Sequence, residues 1–108
     1  MNSKILKALS NVGVPVQFQH YEGTEETYIT FFIYNDKTEI NADDKDIITG
    51  YSIQVDVWSK TDYTKLVEKV HEAMIKNDFM KDNFYDLYED DTKTYHKAMR
   101  FYINKEVI

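Results

Sequence analysis

The chain has 108 residues and a formal net charge of −6, because 19 acidic residues stand against 13 basic ones. It contains no cysteine, which excludes disulfides, thiolate metal sites and a cysteine nucleophile. The acidic balance argues against a general nucleic-acid binder, whose phosphate contacts depend on clustered Lys and Arg. A hydrophobic fraction of 43% with 15% aromatic residues predicts one globular domain over residues 1–108.

The N-terminal part of the chain predicts one short helix followed by two strands. Residues 3–12 carry apolar side chains at helical spacing, and Gly13 and Pro15 follow where a helix should stop. Residues 14–21 alternate as a short strand. Residues 27–34 form a stronger strand, rich in β-branched and aromatic side chains.

Residues 35–50 form a polar stretch that predicts a long loop. Loops longer than about 12 to 15 residues are uncommon in compact domains and are often functional. Asp43, Asp44 and Asp46 in this stretch are therefore candidate contact residues. No register supplies the glycine and the glutamate of an EF-hand loop, so we assign no metal to it.

The clearest strand covers residues 51–58, and an amphipathic helix follows it. Polar and apolar side chains alternate along the strand. Residues 63–76 then carry an apolar stripe at helical spacing, with charged side chains on the opposite side. Thr61 or Asp62 is the expected N-cap of this helix.

A closing β-hairpin is predicted from residues 84–89 and 94–104, with its turn within residues 90–93. Short turns between neighbouring strands favour an antiparallel sheet. The expected fold class is α+β: a mainly antiparallel sheet with a short N-terminal helix and one longer amphipathic helix packed on it.

Two helices can cover only one face of such a sheet. The other face would carry the aromatic side chains of Tyr28, Phe32, Tyr34 and Trp58. A large exposed aromatic patch is typical of a protein interface, and Trp is enriched among the residues that dominate binding. We therefore predict Phe32, Tyr34 and Trp58 as contact residues. For Trp58, packing beneath the helix or the hairpin is an equally supported alternative.

Motifs for catalysis or cofactor binding are missing from the sequence. His20, His71 and His96 are far apart along the chain and lack the spacing of a metal site. There is no nucleophile elbow, no phosphate-binding loop and no dinucleotide fingerprint. We assign no catalytic, metal or cofactor-binding residue and expect no enzyme. No apolar run approaches the length of a membrane span, so no membrane partner is expected.

Four segments occur in an order that spans nearly the whole chain. They are Gly13-Val14-Pro15-Val16, Ala42-Asp43-Asp44, Ile53-Gln54-Val55-Asp56-Val57-Trp58-Ser59-Lys60, and Asp91-Thr92-Lys93-Thr94-Tyr95-His96-Lys97-Ala98-Met99-Arg100-Phe101. Together they resemble the small tail-completion proteins of long-tailed bacteriophages and prophages, also described as tail terminators or head–tail joining proteins.

The resemblance implies an α+β virion structural protein without catalytic residues or cofactors. Its partners would be other copies of itself in a ring, usually of six, and the tail-tube and head-connector proteins. The protein would lie at the head–tail junction of the virion, after assembly in the host bacterial cytoplasm. Whether it acts as a tail terminator or on the connector side stays open.

Two further hypotheses accompany the resemblance. DNA would pass through the ring without specific binding, and Asp43, Asp44 and Asp46 would line that channel, where like charge keeps phosphates from binding tightly.

The main alternative function is a cytoplasmic module that binds another protein through the aromatic face. A small enzyme or metal-binding protein using the acidic loop is the remaining alternative.

Overall fold

The computed structural model describes residues 1–40 and 47–107. Its elements in chain order are α1 (Asn2–Ala8), β1 (Val16–Phe18), β2 (Tyr28–Ile40), β3 (Ile47–Ser59), α2 (Thr64–Lys76), β4 (Met80–Glu89) and β5 (Thr94–Val107). The strands form a five-stranded sheet in the order β1-β2-β3-β5-β4. β1 runs parallel to β2, and the other neighbours are antiparallel. The predicted α+β class is confirmed.

Both helices pack against the same face of the sheet, and the buried core lies between helices and sheet. On β3, Ile53, Val55 and Val57 turn toward the helices, as the alternation predicted, and are fully buried. The remaining core side chains include Ile5, Leu9, Ile29, Phe31, Val70, Met74, Met99 and Phe101. Within the described residues, neither helix is long and apolar enough to cross a membrane.

Helix α1 ends earlier than the predicted boundary at residue 12. Residues 9–12 form a turn in which the backbone N–H of Ser10 donates to the carbonyl of Lys7 at 3.3 Å. Gly13 then adopts a φ of +86°, in the left-handed region that glycine enters without a steric penalty. Gly13 therefore belongs to the turn that redirects the chain rather than to the helix end itself.

Strand β1 covers only three residues of the predicted strand 14–21. The backbone N–H of Ile29 donates to the carbonyl of Pro15 at 2.8 Å, and that of Gln19 donates to Phe31 at 2.9 Å. Gln19 has a φ of +66°, which is incompatible with a continuing strand. The strand therefore stops at Phe18.

The predicted long loop is wrong over most of its length. Residues 35–40 belong to β2 and residues 47–50 to β3, and the two strands pair in register from Asn35 with Ser52 to Ile40 with Ile47. Asp43, Asp44 and Asp46 lie outside the described residues. Together with the end of β5, residues 37–40, 47–50 and 104–107 form a three-stranded extension that we call the β-arm.

The molecule is elongated, with extents of 52 × 26 × 23 Å. None of the described side chains of the β-arm joins the buried core. Gly50 in the arm lies beneath the ring of Tyr102, and a Cβ at this position would collide with the tyrosine hydroxyl. The hydroxyls of Thr38 and Thr49 pair across the arm at 3.2 Å. Polar cross-strand contacts thus replace apolar packing in this region.

Helix α2 begins beside the sheet edge formed by β4. Its N-cap position is Tyr63, one residue after the predicted Asp62, yet the Asp62 carboxylate accepts the backbone N–H of Thr64 at 2.9 Å. The phenol of Tyr63 donates to the carboxylate of Asp86 on β4 at 2.8 Å, and Lys97 donates to the same carboxylate at 3.1 Å. These bonds tie the start of α2 to the C-terminal hairpin.

The predicted C-terminal hairpin is confirmed with its turn at residues 90–93. β4 begins at Met80, four residues before the predicted boundary, and β5 continues to Val107. The register shifts between Lys81 and Phe84, which places an irregularity in β4. From Phe84 to Glu89 the strand pairs with β5 without interruption.

The burial pattern of α2 predicts sharply different costs for two neighbouring truncations. Met74 is 0% exposed, whereas Ile75 is 47% exposed. We expect Met74→Ala to lower the free energy of unfolding by about 2–5 kcal/mol, because it removes buried atoms and leaves a cavity. Ile75→Ala should change it by less than about 0.5 kcal/mol. Urea unfolding followed by circular dichroism measures both, and similar losses would contradict the placement of α2.

The Tyr63–Asp86 bond predicts a loss of stability at alkaline pH. Burial and then the hydrogen bond to Asp86 raise the pKa of Tyr63 from 10.0 to about 12. Folding therefore favours the protonated phenol, so its contribution is complete below pH about 10 and is lost as the pH rises through about 12.

Between these two pH values, wild type should lose more stability in urea titrations than Tyr63→Phe, which keeps the ring but has no phenol. Tyr88→Phe leaves the Asp86 bond intact and should follow wild type. Equal losses in wild type and Tyr63→Phe would contradict this role of the bond.

Candidate functional site

The sheet face turned away from the helices holds a cluster of aromatic and polar side chains, which we call the open face. Strand alternation places them there, since successive side chains point to opposite faces. The open face comprises Tyr28, Thr30, Phe32 and Tyr34 on β2, Gln54, Asp56 and Trp58 on β3, Tyr85 on β4, and His96, Ala98 and Arg100 on β5. The structure thus brings together side chains that span more than 70 positions of the sequence.

A row of stacked rings crosses one end of the open face. Trp58 stacks on His96 with ring centroids 3.8 Å apart and planes within 11°. On its other side Trp58 stacks with Tyr28 at 6.2 Å, and Tyr28 stacks with Tyr21 at 4.1 Å. The indole N–H of Trp58 donates to the hydroxyl of Thr30 at 3.0 Å. Trp58 is therefore half-buried on the sheet surface and packs under neither helix nor hairpin.

A chain of hydrogen bonds runs beneath and beside these rings. The Nε–H of Arg100 donates to Gln54 at 3.1 Å, and the Gln54 amide donates to Asp56 at 2.7 Å. His96 Nε2 lies 2.6 Å from the same carboxylate oxygen of Asp56. Because an ionised carboxylate only accepts, His96 is the donor in this bond.

Burial makes the Asp56 carboxylate the central group of this network. Asp56 is only 4% exposed, and the side chain of His96 is 12% exposed. A buried carboxylate without partners is strongly unfavourable, so the two bonds from Gln54 and His96 are what allow it to lie there. The polar groups below the rings are thereby fully engaged, and the network fixes the positions of the rings above it.

Arg100 is the only arginine of the chain and lies between two tyrosines. Its guanidinium carbon is 4.9 Å from the ring centroid of Tyr34 and 5.6 Å from that of Tyr85. Such contacts are cation–π interactions, which hold the guanidinium flat against the aromatic surface. With Gln54 also engaged, Arg100 is positioned as part of the face and is not a free basic group for phosphate.

The predicted contact residues differ in their exposure. Tyr34 is 40% exposed, whereas Phe32 and Trp58 are half-buried. Tyr34 sits at a β-bulge, where the register with β3 shifts between Ile33 and Asn35. The extra residue turns Tyr34 outward while it keeps edge-to-face contact with Phe32 at 6.4 Å. Phe32, Tyr34 and Trp58 share the open face.

The roles of His96, Asp56 and Arg100 were not predicted from the sequence. The alternation of β3 and β5 does place all three on this face, but their contacts depend on the register between the strands. Trp58 is the cross-strand partner of His96, and Gln54 is the partner of Arg100. The signal that could have found them is therefore a correct pairing of the two strands.

A groove of about 890 Å³ lies on the opposite side of the molecule, between α1 and α2. Its lining includes Lys7, Lys69 and Lys76 with the short apolar side chains of Ala8 and Ala73. Lysine stems over small apolar residues are typical of a solvated seam between two helices. Within the described residues, no three His, Asp or Glu side chains converge as metal ligands.

The open face combines features of a protein-contact surface. It presents aromatic rings that are already ordered, and aromatic and Arg side chains are enriched at the centres of protein interfaces. Ordered rings lose little conformational freedom on binding, which favours association. Base stacking would use similar rings, but Arg100 is the one Lys or Arg side chain among the described residues of the open face, and it is engaged.

The chain was compared with known proteins by sequence and by fold. No protein-family model and no curated protein sequence matches it. Its fold is similar to that of a chain in a solved structure described as "Virion of native gene transfer agent (GTA) particle". The TM-score is 0.56 at 10% sequence identity, over 97% of this chain and 91% of that chain. The two chains thus share a fold over nearly their whole lengths.

The network predicts that Asp56 is more important for stability than an exposed aspartate of the same sheet. Asp56→Ala leaves His96 and Gln54 without their acceptor, so we expect a loss of about 1–3 kcal/mol in the free energy of unfolding. Asp36→Ala, at an exposed position of β2, is the matched control and should cost less than about 0.5 kcal/mol. Urea unfolding measures both, and equal effects would contradict the central position of Asp56.

Proposed function

We propose that this chain is a structural protein of a phage-like virion that completes the tail and joins it to the head connector. The observation that carries the proposal is the shared fold, over 97% of this chain, with a chain of a gene transfer agent virion particle. The four sequence segments that resemble tail-completion proteins, and their order along the chain, support the same role. In this role the protein acts by assembly and carries out no catalysis.

The proposed form in the virion is a ring, with six copies around a DNA channel. A ring of identical copies uses heterologous contacts that close by rotation, so each copy needs two different surfaces. The open face supplies an ordered aromatic surface for the tail-tube or head-connector protein. The β-arm, none of whose described side chains joins the core, provides a second surface.

The charge of the chain fits passage of DNA without binding. A net charge of −6 per copy would make the ring strongly acidic, and like charge prevents tight phosphate contacts. Asp43, Asp44 and Asp46 stay the predicted residues of the channel wall. The proposed location is the head–tail junction of the virion, after assembly in the host cytoplasm.

The second candidate function is a cytoplasmic protein-binding module. The observation that favours it is the open face itself, whose rings and single guanidinium would suit another protein equally well. The two functions differ in where this chain and its partner are found. They lie in a virion particle under the first function and outside particles under the second.

Particles made without this chain test the proposal directly. We expect filled heads separated from tails, with tails of irregular or excess length, and we expect normal joined particles when the wild-type chain is supplied. Electron microscopy of the lysates provides the readout. Joined particles of normal tail length in the absence of the chain would contradict the proposal and favour the binding module.

Variants of the open face refine the same experiment. The double variant Phe32→Ala, Tyr34→Ala removes two contact rings and should reduce the yield of joined particles by at least about tenfold, since interface aromatics often contribute more than 1–2 kcal/mol each. Ile75→Ala, which truncates an exposed side chain on the helix side, is the matched control and should support normal joining. Normal yields with both variants would exclude the open face as the contact surface.

A further inference from the structure

Arg100 lies on the open face between two tyrosine rings that belong to different strands. Tyr34 on β2 and Tyr85 on β4 lie on opposite sides of β5 in the sheet, and both rings contact the guanidinium. Tyr34 is 40% exposed and Tyr85 is 45% exposed, and Arg100 is half-buried between them. The open face therefore presents a flat cation that is flanked by aromatic rings and accessible from outside.

The hydrogen-bond network of the open face fixes one side of this guanidinium. The Nε–H of Arg100 donates to Gln54 at 3.1 Å, and Gln54 in turn donates to Asp56. Gln54 thus engages only the Nε–H. The N–H groups of the terminal nitrogens Nη1 and Nη2 have no hydrogen-bond partner in the part of the chain that the structure describes. These two nitrogens form a rigid fork that matches the two oxygens of a carboxylate.

The chain provides no acid for this fork within the described residues. No acidic side chain there forms an ion pair with Arg100. Asp56, the carboxylate of the same network, is 4% exposed and already accepts from Gln54 and His96. An acid that pairs with the terminal nitrogens of Arg100 therefore has to come from another molecule.

Covering the open face would make such an acid necessary. In the proposed function a tail-tube or head-connector protein lies on this face and removes water from around Arg100. A cation that loses its water without gaining a counter-charge is strongly unfavourable. An opposite charge gains strength in the same dry surroundings, because the effective dielectric constant is lower there than in water. A carboxylate on the partner provides both the charge and the acceptors.

A carboxylate of a protein fits this position better than the phosphate of a nucleic acid. Surfaces that bind nucleic acids neutralise several phosphates with clustered Lys and Arg. Arg100 is the one Lys or Arg side chain among the described residues of the open face, and Gln54 links it to the buried carboxylate of Asp56. A single Arg among aromatic rings is typical of the residues that dominate protein interfaces.

We propose that Arg100 binds a carboxylate side chain of the protein that covers the open face, with Nη1 and Nη2 donating to the two carboxylate oxygens. The rings of Tyr34 and Tyr85 contact the apolar surface around that acid. The occupant is an aspartate or glutamate of a tail-tube or head-connector protein, set in an apolar patch. This inference rests on the proposed function, since it specifies the chemistry of the partner's contact surface.

Zero-length cross-linking tests the contact. Arg100→Lys places an amine at this position, and a carbodiimide joins an amine to a touching carboxylate as an amide while the reagent takes up the water that is lost. Particles are assembled from a mixture of wild-type and Arg100→Lys chains, so that joining does not depend on the variant alone. We expect mass spectrometry to find a cross-link from position 100 to an Asp or Glu of a tail-tube or head-connector protein. Wild-type particles should lack it, because a guanidinium does not react.

The yield of joined particles provides a second readout when each variant is supplied alone. Arg100→Gln removes the charge and should lower the yield at least about tenfold, as for an arginine that dominates an interface. Arg100→Lys keeps the charge without the fork and should lower it less. Lys69→Gln removes an exposed charge on the helix side and is the matched control, for which we expect a normal yield. Circular dichroism verifies that each variant is folded.

Three results would overturn the inference. The first is normal joining with Arg100→Gln. The second is a lowered yield without a cross-link to a tail or connector protein, which would give Arg100 a role within the open face alone. The third is a short labelled DNA strand that binds wild type but not Arg100→Gln, which would favour a phosphate ligand.

Failure of this inference is distinguishable from failure of the proposed function. If particles without the chain have separated heads and tails while Arg100→Gln joins normally, the junction role survives and only the carboxylate site is wrong. If particles without the chain are normally joined, the junction role is wrong, whatever the Arg100 variants show.

Discussion

Strand β3 is the element on which the rest of the structure depends. It pairs with β5 along its whole length and with β2 from Ile47 to Trp58, and it lies in the middle of the sheet. Its side chains alternate between the two faces of the sheet. Ile53, Val55 and Val57 point toward the two helices and form the centre of the core. In the part of the chain that the structure describes, the opposite side chains have no helix over them, because α1 and α2 both pack on the other face.

The uncovered face is stabilised from within the sheet. Asp56 accepts hydrogen bonds from His96 and Gln54, and the ring of Trp58 packs over this region by stacking on His96. The face therefore has ordered rings without a continuous apolar layer. The same network of side chains stabilises the sheet and holds the rings of the open face in place.

Part of this arrangement could be predicted from the sequence, because a strand has a side-chain period of two. That period is enough to separate Val55 and Val57 from Asp56 and Trp58, and to place Trp58 on the face away from the helices. It does not reveal that His96 contacts Asp56, 40 residues earlier. That contact depends on the register between β3 and β5, which the turn, the helix and the core settle together.

The misassigned polar stretch has a different physical cause. None of the described side chains of the β-arm joins the apolar core, so the strands there lack the hydrophobic alternation of a half-buried strand. Thr38 and Thr49 pair there by their hydroxyls, and Tyr102 covers Gly50. Sequence patterns identify strands by an apolar face that packs on a core, and a strand without such a face resembles a loop.

The most direct test of the central claim is a cryo-electron microscopy reconstruction of the head–tail junction in intact particles that carry this chain. The account predicts a ring of density at the junction into which this α+β chain fits in every copy, with the open face covered by a tail or connector protein. A junction whose density is completely explained by other proteins, with this chain absent from purified particles, would contradict the account.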